Sequence, residues 1–175
     1  MRCKNCKDKF EPIRFNHKFC LKDECIKAFV EEVKTRQWKT TKKRMKEDLK
    51  TLQDWLKEAQ TIFNKYIRLR DEGLNCISCD KPIRKGNVDA GHMWSAGGHS
   101  NLRFNEFNVN AQCSRPCNKD KSGDINNYRL GFIKRYGEDK LSELDSIAHI
   151  ERKFTKDELK MLITEYKQKT KELEK

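Results

Sequence analysis

A chain of 175 residues that is 38% charged and only 35% hydrophobic cannot enclose one large core, so small modules tied by something other than apolar burial are expected. Lysine and arginine outnumber aspartate and glutamate 39 to 27, a formal charge of +12, and charged residues interrupt the sequence too often for a membrane span. Met1-Arg2-Cys3-Lys4 opens no apolar signal segment, which points to a cytoplasmic protein with reduced thiols.

The first element is a four-cysteine module over residues 1–25. Cys3, Cys6, Cys20 and Cys25 read C-x2-C, 13 residues, then C-x4-C, a spacing that suits one tetrahedral Zn²⁺. Eight cysteines in two such groups leave none over. The rival reading, a disulfide framework, needs an oxidising compartment that nothing in the N-terminus supports.

From Ile26 to about Asp71 the chain lacks proline and glycine, which predicts one long helix or two stacked ones, a basic stalk over 26–72. Met45, Leu49, Leu52, Leu56, Ala59, Phe63 and Tyr66 step by four and three, a heptad seam that must face either a second copy or another helix of the same chain. Lys39, Lys42, Lys43, Arg44 and Lys46 make the stretch before the seam the most basic of the chain and are candidate phosphate contacts. Trp38 within it would either pack a helix or stack on an unpaired base.

Residues 73–137 carry the second four-cysteine group. Cys76, Cys79, Cys113 and Cys117 read C-x2-C, 33 residues, then C-x3-C, again suited to one structural zinc. Between the knuckles Pro82, Gly86, Gly91, Gly97 and Gly98 predict short strands and a loop. Beyond Asn118, Asp124 caps a predicted helix through Ile125, Tyr128, Phe132, Ile133 and Tyr136 that Gly137 closes. Over 138–175 a Thr155–Glu158 capping box opens a helix with Leu159, Leu162, Ile163, Tyr166 and Leu173 on one face, a partner for the seam in an antiparallel pair. A homodimeric coil is the alternative.

Phosphodiester hydrolysis needs a base for water, a cation for transition-state charge and a donor for the leaving oxygen. His92 is the candidate base, because the four cysteines already satisfy the zinc and its neutral imidazole can take a proton near pH 7. Asn118, next to a knuckle cysteine, would offer its amide oxygen to Mg²⁺ or Mn²⁺, with Asp89 a further ligand. Asn108 would brace the loop and orient His92, and Arg103, Lys119, Lys121 and Arg129 would grip phosphates. Duller roles exist for each: a structural histidine, or a helix cap at Asn118.

The knuckle pair, Asn108 and Cys117-Asn118 resemble the HNH endonuclease pattern over residues 76–121. Phe63-Asn64-Lys65-Tyr66-Ile67-Arg68-Leu69-Arg70-Asp71, Cys76-Ile77-Ser78-Cys79, Asp89-Ala90-Gly91-His92, Leu102-Arg103-Phe104-Asn105-Glu106 and Cys117-Asn118 resemble, more specifically, the NinG (Rap) recombination endonucleases of lambdoid phages. That resemblance spans nearly the whole chain and implies a structure-selective endonuclease acting on Holliday junctions and D-loops; a phage-encoded protein of this kind would work in the host cytoplasm, where recombination proteins are candidate partners. Two departures stand out: Gly91 replaces the acid that often precedes the base, and the second knuckle is C-x3-C. A DNA-binding protein that does not cut is the alternative. The expected fold is α+β and predominantly helical: an N-terminal zinc module, a basic stalk, a zinc-stapled ββα-metal (HNH) core over 73–137, and C-terminal helices.

Overall fold

The computed structural model describes all of residues 1–175, which fall into two compact units, Met1–Lys50 and Thr51–Lys175. In the first, a knuckle closed by an antiparallel bridge between Arg2 and Lys9 leads through Phe19 and Cys20 into helix α1, Asp23–Asp48. Phe19 and the buried cysteines form its small core, with Phe10 and Ala28 against them. Cys25 is the one residue of α1 that is buried.

The second unit begins with α2, Leu52–Arg70, and continues through the hairpin strands β1, Val88–His92, and β2, Val109–Cys113. An irregular turn at Ser114–Asn118 precedes α3, Ile125–Tyr136; α4, Glu138–Ile147, and α5, Lys156–Leu173, complete it. The protein is thus mixed but mainly helical, with one two-stranded sheet. No helix is long and apolar enough to cross a membrane.

The stalk is interrupted where a continuous heptad seam was expected. Thr51 starts α2 with a capping box: its Oγ1 accepts from the Asp54 amide at 3.2 Å while Asp54 accepts from the Thr51 amide at 2.9 Å. A cap of this kind is worth about 1 kcal/mol and commits the chain to a new helix start. Met45, Leu49 and Leu52 are therefore 52%, 80% and 40% exposed, whereas Ala59, Phe63 and Tyr66 of the same seam are buried.

What covers the surviving half of the seam is α5, and the pair runs parallel, which corrects the antiparallel arrangement expected. Lys160 lies over the Trp55 ring, Tyr166 meets Phe63 and Tyr66 at 4.8 and 5.1 Å between centroids, and Lys65 pairs with Glu174 at 2.6 Å. Both sequences therefore advance together. Phe154, in the segment between α4 and α5, packs in the cluster of Trp55 and Ala59, so the chain has already returned to the start of α2 before α5 begins.

The hairpin lies between the two helix pairs. Strand alternation places Val88, Ala90, His92, Val109 and Ala111 on one face and Asp89, Gly91, Asn110 and Gln112 on the other. Ala90 and Val109 join Phe63, Tyr66, Ile67 and Tyr166 of α2 and α5. On the opposite face Tyr128 of α3 donates to the Gly91 carbonyl at 3.0 Å and accepts from Asn110 at 3.1 Å, and Tyr136 donates to Asn110 at 2.7 Å. Those bonds are what allow the fully buried Asn110 amide to sit in this layer. The outer edge of β2 is covered: Arg70 donates to the Val109 carbonyl, Asp71 accepts from the Ala111 amide, and Ile77 donates to the Ala111 carbonyl. The sheet has two strands, so β1 pairs with no strand on its other side.

Gly137, at φ 88°, ends α3 where it was expected to. Asp124 does begin that helix, but in a left-handed conformation and without a side-chain cap; its carboxylate is bound by Asn127 instead. α4 carries no strong sequence signal and is fastened to α3 by Arg129, which grips Asp145 through both terminal guanidinium nitrogens.

Candidate metal centres and active site

The two four-cysteine groups fold alike. In each, the first cysteine amide donates to the carbonyl five residues on (Cys3 to Asp8, Cys76 to Lys81, both 2.9 Å), and its carbonyl accepts from the amide four residues on, at Lys7 and Asp80. Lys7 and Asp80 both adopt positive φ, at 66° and 53°. In each, a later cysteine amide points at the first thiol: Cys20 to Cys3 Sγ at 3.2 Å, Cys113 to Cys76 Sγ at 3.3 Å. The sulfurs of each group lie within 4.8 Å of one another. Sulfurs 2.3 Å from a tetrahedral ion are about 3.8 Å apart, and Cys6–Cys20, Cys76–Cys113 and Cys79–Cys113 stand at 3.7, 3.7 and 3.9 Å. Cys117, whose C-x3-C spacing departs from the usual knuckle, is fully buried within its group. Both sites therefore fit Zn²⁺ held by Cys3, Cys6, Cys20 and Cys25 and by Cys76, Cys79, Cys113 and Cys117. Such an ion supplies cross-linking energy and no open coordination position.

Around the second group the polar residues converge from distant points in the chain. Asp89 Oδ2 accepts from Asn118 Nδ2 at 2.8 Å and from Ser114 Oγ at 2.7 Å. Burial alone would raise the Asp89 carboxyl, but the bonds from Asn118 and Ser114, with Lys119 and Arg68 nearby, hold it below its ordinary 3.8. It is thus ionised at neutral pH. Asn118 donates with its nitrogen, so its Oδ1 stays available, as does Asp89 Oδ1. Two oxygen donors beside each other suit a hard divalent cation.

His92 stands apart from this pair. It is half-buried on the other face of β1, three residues along from Asp89, and no hydrogen bond links it to Asp89, Ser114 or Asn118. Its Nε2 lies 3.1 Å from the Arg103 carbonyl. A carbonyl only accepts, so in the neutral ring the proton is on Nε2 and the lone pair on Nδ1. Burial lowers the His92 pKa below the ordinary 6.5, against the opposing pull of the Arg103 and Ala90 backbone. The ring is neutral at pH 7.

Asn108, completely buried, braces the loop between the strands: its Oδ1 accepts from the Trp94 amide at 2.8 Å and its Nδ2 donates to the carbonyls of Trp94 and Leu102 at 2.9 and 3.0 Å. Leu102 immediately precedes the residue whose carbonyl meets His92, so this amide positions the imidazole's partner.

A family model described as "NinG: Bacteriophage Lambda NinG protein" matches residues 1–175. The chain belongs to the NinG family. It is similar to "Protein ninG" of Escherichia phage lambda, 35% identical over 191 residues that cover 98% of this chain and 92% of that relative. "Protein ninG" of Salmonella phage P22 is 34% identical, covering 98% and 93%, and that of Escherichia phage 933W is 32% identical, covering 98% and 92%. No solved structure matches the chain.

The remaining candidates of this NinG-family chain separate by their partners. Lys39, Lys42, Lys43, Arg44 and Lys46 are solvent-facing on α1 without ion pairs, and Lys119 is exposed beside Asn118. Lys121 pairs with Asp124 at 3.4 Å, and Arg103 reaches Gln60 at 3.5 Å. Arg129, expected on phosphate, is engaged by Asp145. Sequence reasoning passed over Ser114 and Gln112. Gln112 is fully buried, and its Nε2 donates to Ser78 Oγ at 2.7 Å and to the Gly123 carbonyl at 2.6 Å. Neither residue type announces a site; Gln112 pairs with Asp89 across the hairpin, and Ser114 follows β2 in the turn that carries Asn118.

Proposed function

We propose that this phage protein is a metal-dependent endonuclease that cuts DNA at branched recombination intermediates, Holliday junctions and D-loops, and that the zinc-stapled hairpin with Asn118 forms an HNH-type centre. The observation that carries the reading is the Asp89–Asn118 contact, which joins two oxygen-bearing residues 29 positions apart beside a tetrathiolate staple and on the strand that also bears His92. The motif resemblance over nearly the whole chain supports it. Asp89 and Asn118 would hold Mg²⁺ or Mn²⁺, which when bound offsets negative charge on the phosphate. His92, neutral at pH 7, takes the proton from attacking water. Asn108 and the Arg103 carbonyl hold the ring. Lys119 lies where a phosphate bound beside Asn118 would meet a cation. DNA would approach along the edge of β1 that pairs with no other strand.

A second reading, a zinc-dependent protein that binds DNA without cutting it, is favoured by one observation: His92 and the Asp89–Asn118 pair lie on opposite faces of β1. A nicking assay separates the two. With Mg²⁺ or Mn²⁺ present, a synthetic four-way junction or supercoiled plasmid is cut by the wild type, and cutting falls at least a hundredfold in His92→Ala and Asn118→Ala. A wild type that binds junctions and cuts none in either cation leaves only the second reading.

A further inference from the structure

The tryptophan of α1 does not belong to the hydrophobic core of its unit. Trp38 is 59% exposed, although an indole gains more than most side chains from being buried. Its position on the helix explains why the zinc module cannot cover it. Successive residues turn about 100°, so Phe29, whose ring meets Phe19 of the module, lies about 180° around α1 from Trp38. Residues four before and four after share its face: Lys34 and Lys42 flank the indole, each about 6 Å away along the axis. Glu31 and Met45 sit at the ends of the same stripe, Met45 being 52% exposed. Lys34 pairs with Glu31 at 3.2 Å, both largely in water, a contact worth little and readily exchanged for phosphate. Lys42 has no ion pair.

We infer that this stripe is a binding site for single-stranded DNA, in which an unpaired base stacks on Trp38 and the flanking phosphates meet Lys34 and Lys42. Charge complementarity selects the occupant. A second copy of the chain would bring the same lysines face to face, whereas a polyanion neutralises them. Between duplex and single strand, the ring decides: paired bases are already stacked, and opening them costs free energy that an unpaired base has already surrendered. α1 would then read the open strands at the branch point, a role resting on the DNA-directed part of the proposed function but independent of whether the hairpin cuts.

The test uses the full zinc-loaded chain without Mg²⁺, so that cleavage does not enter. Titration with oligo(dT) should quench tryptophan fluorescence in the wild type, and Trp38→Leu, an exchange at an exposed helical site, should weaken oligo(dT) binding about 5- to 150-fold while leaving duplex affinity unchanged. Trp38→Phe should retain most of the affinity, and Lys42→Ala should reduce the slope of log affinity against log salt by about 0.7. Equal oligo(dT) affinity in wild type and Trp38→Leu overturns the inference. So does an equal loss for duplex and single strand, or a wild-type dimer in sedimentation that Trp38→Leu converts to monomer with DNA affinity unchanged. Junctions bound but never cut would count against the nuclease reading alone.

Discussion

A Cβ added to Gly91 would fall 2.3 Å from Gln112 Oε1 and 3.0 Å from Gln112 Cβ. The side chain at 112 occupies the volume in which an acid at 91 would have stood, and it cannot swing aside, because Ser78 and Gly123 hold its nitrogen. The missing acid before His92 is thus a consequence of packing across the hairpin. Gly91→Ala should destabilise the unit by about 1–3 kcal/mol through overpacking, and Gly91→Asp should do so without improving any metal-dependent activity. Gln112→Ser should recover much of the loss in the Gly91→Ala background. Thermal melts of the double-mutant cycle measure this, and additive effects would show that the two residues do not compete for space.

In the nicking reaction proposed above, the acid limb of the pH–rate profile should report His92. Its pKa is lowered by burial, so the neutral base persists below the ordinary 6.5, and the rate should fall only as pH drops through that lowered value. The stability linkage has the same sign: an unfolded histidine takes up its proton first, so this group's contribution is present above 6.5 and is lost progressively as pH falls. A pH–rate profile with its acid limb above 6.5 would assign that limb to another group.

Removing zinc should affect the two units differently. Mass spectrometry under native conditions should find two ions per chain, one for each four-cysteine group. Cys20→Ser should unfold the N-terminal knuckle and leave the far-ultraviolet signal of Thr51–Lys175 largely intact. Cys117→Ser, by releasing the turn that carries Asn118 from the first knuckle, should lose both its zinc and the Asp89–Asn118 contact. Affinity for zinc should weaken toward acid pH at both sites, since thiolates must be deprotonated to bind. A single ion per chain would remove one of the two centres.

Glu106 ties three elements together. It accepts from Tyr66 at 2.9 Å, Tyr166 at 3.2 Å and Lys169 at 2.7 Å. Burial would raise its carboxyl, yet Lys169 and the two hydroxyls keep it below the ordinary 4.5, so its stabilisation is present above 4.5 and lost as pH falls further. Glu106→Ala leaves both tyrosine hydroxyls and the lysine without this partner and should cost about 2–4 kcal/mol in urea melts, with a reduced acid dependence. Unchanged stability would mean that α5 is held by its apolar face alone.

The two four-cysteine clusters were legible in the residues themselves, because thiol pairs at knuckle spacing are a local chemical pattern, and each group closes to a size compatible with zinc. Gly137 as a helix stop and the Thr155–Glu158 box were legible for the same reason: the interactions lie within four residues. The heptad seam misled because periodicity records which residues are apolar and is blind to a cap; Thr51–Asp54 carried the contrary signal. Asn108 was legible in kind, whereas the carbonyls it holds were not.

Only tertiary structure decided the rest. The direction of α5 against α2 depends on where the chain re-enters after α4, a matter of long-range packing that two amphipathic stripes leave undetermined. That Asp89 and His92 lie on opposite faces follows from strand alternation alone, but which helices cover each face, and the fit of Gly91 to Gln112 between residues 21 positions apart, are set by packing. Short-range chemistry is written in neighbouring residues, whereas burial and convergence arise when remote segments compete for the same volume.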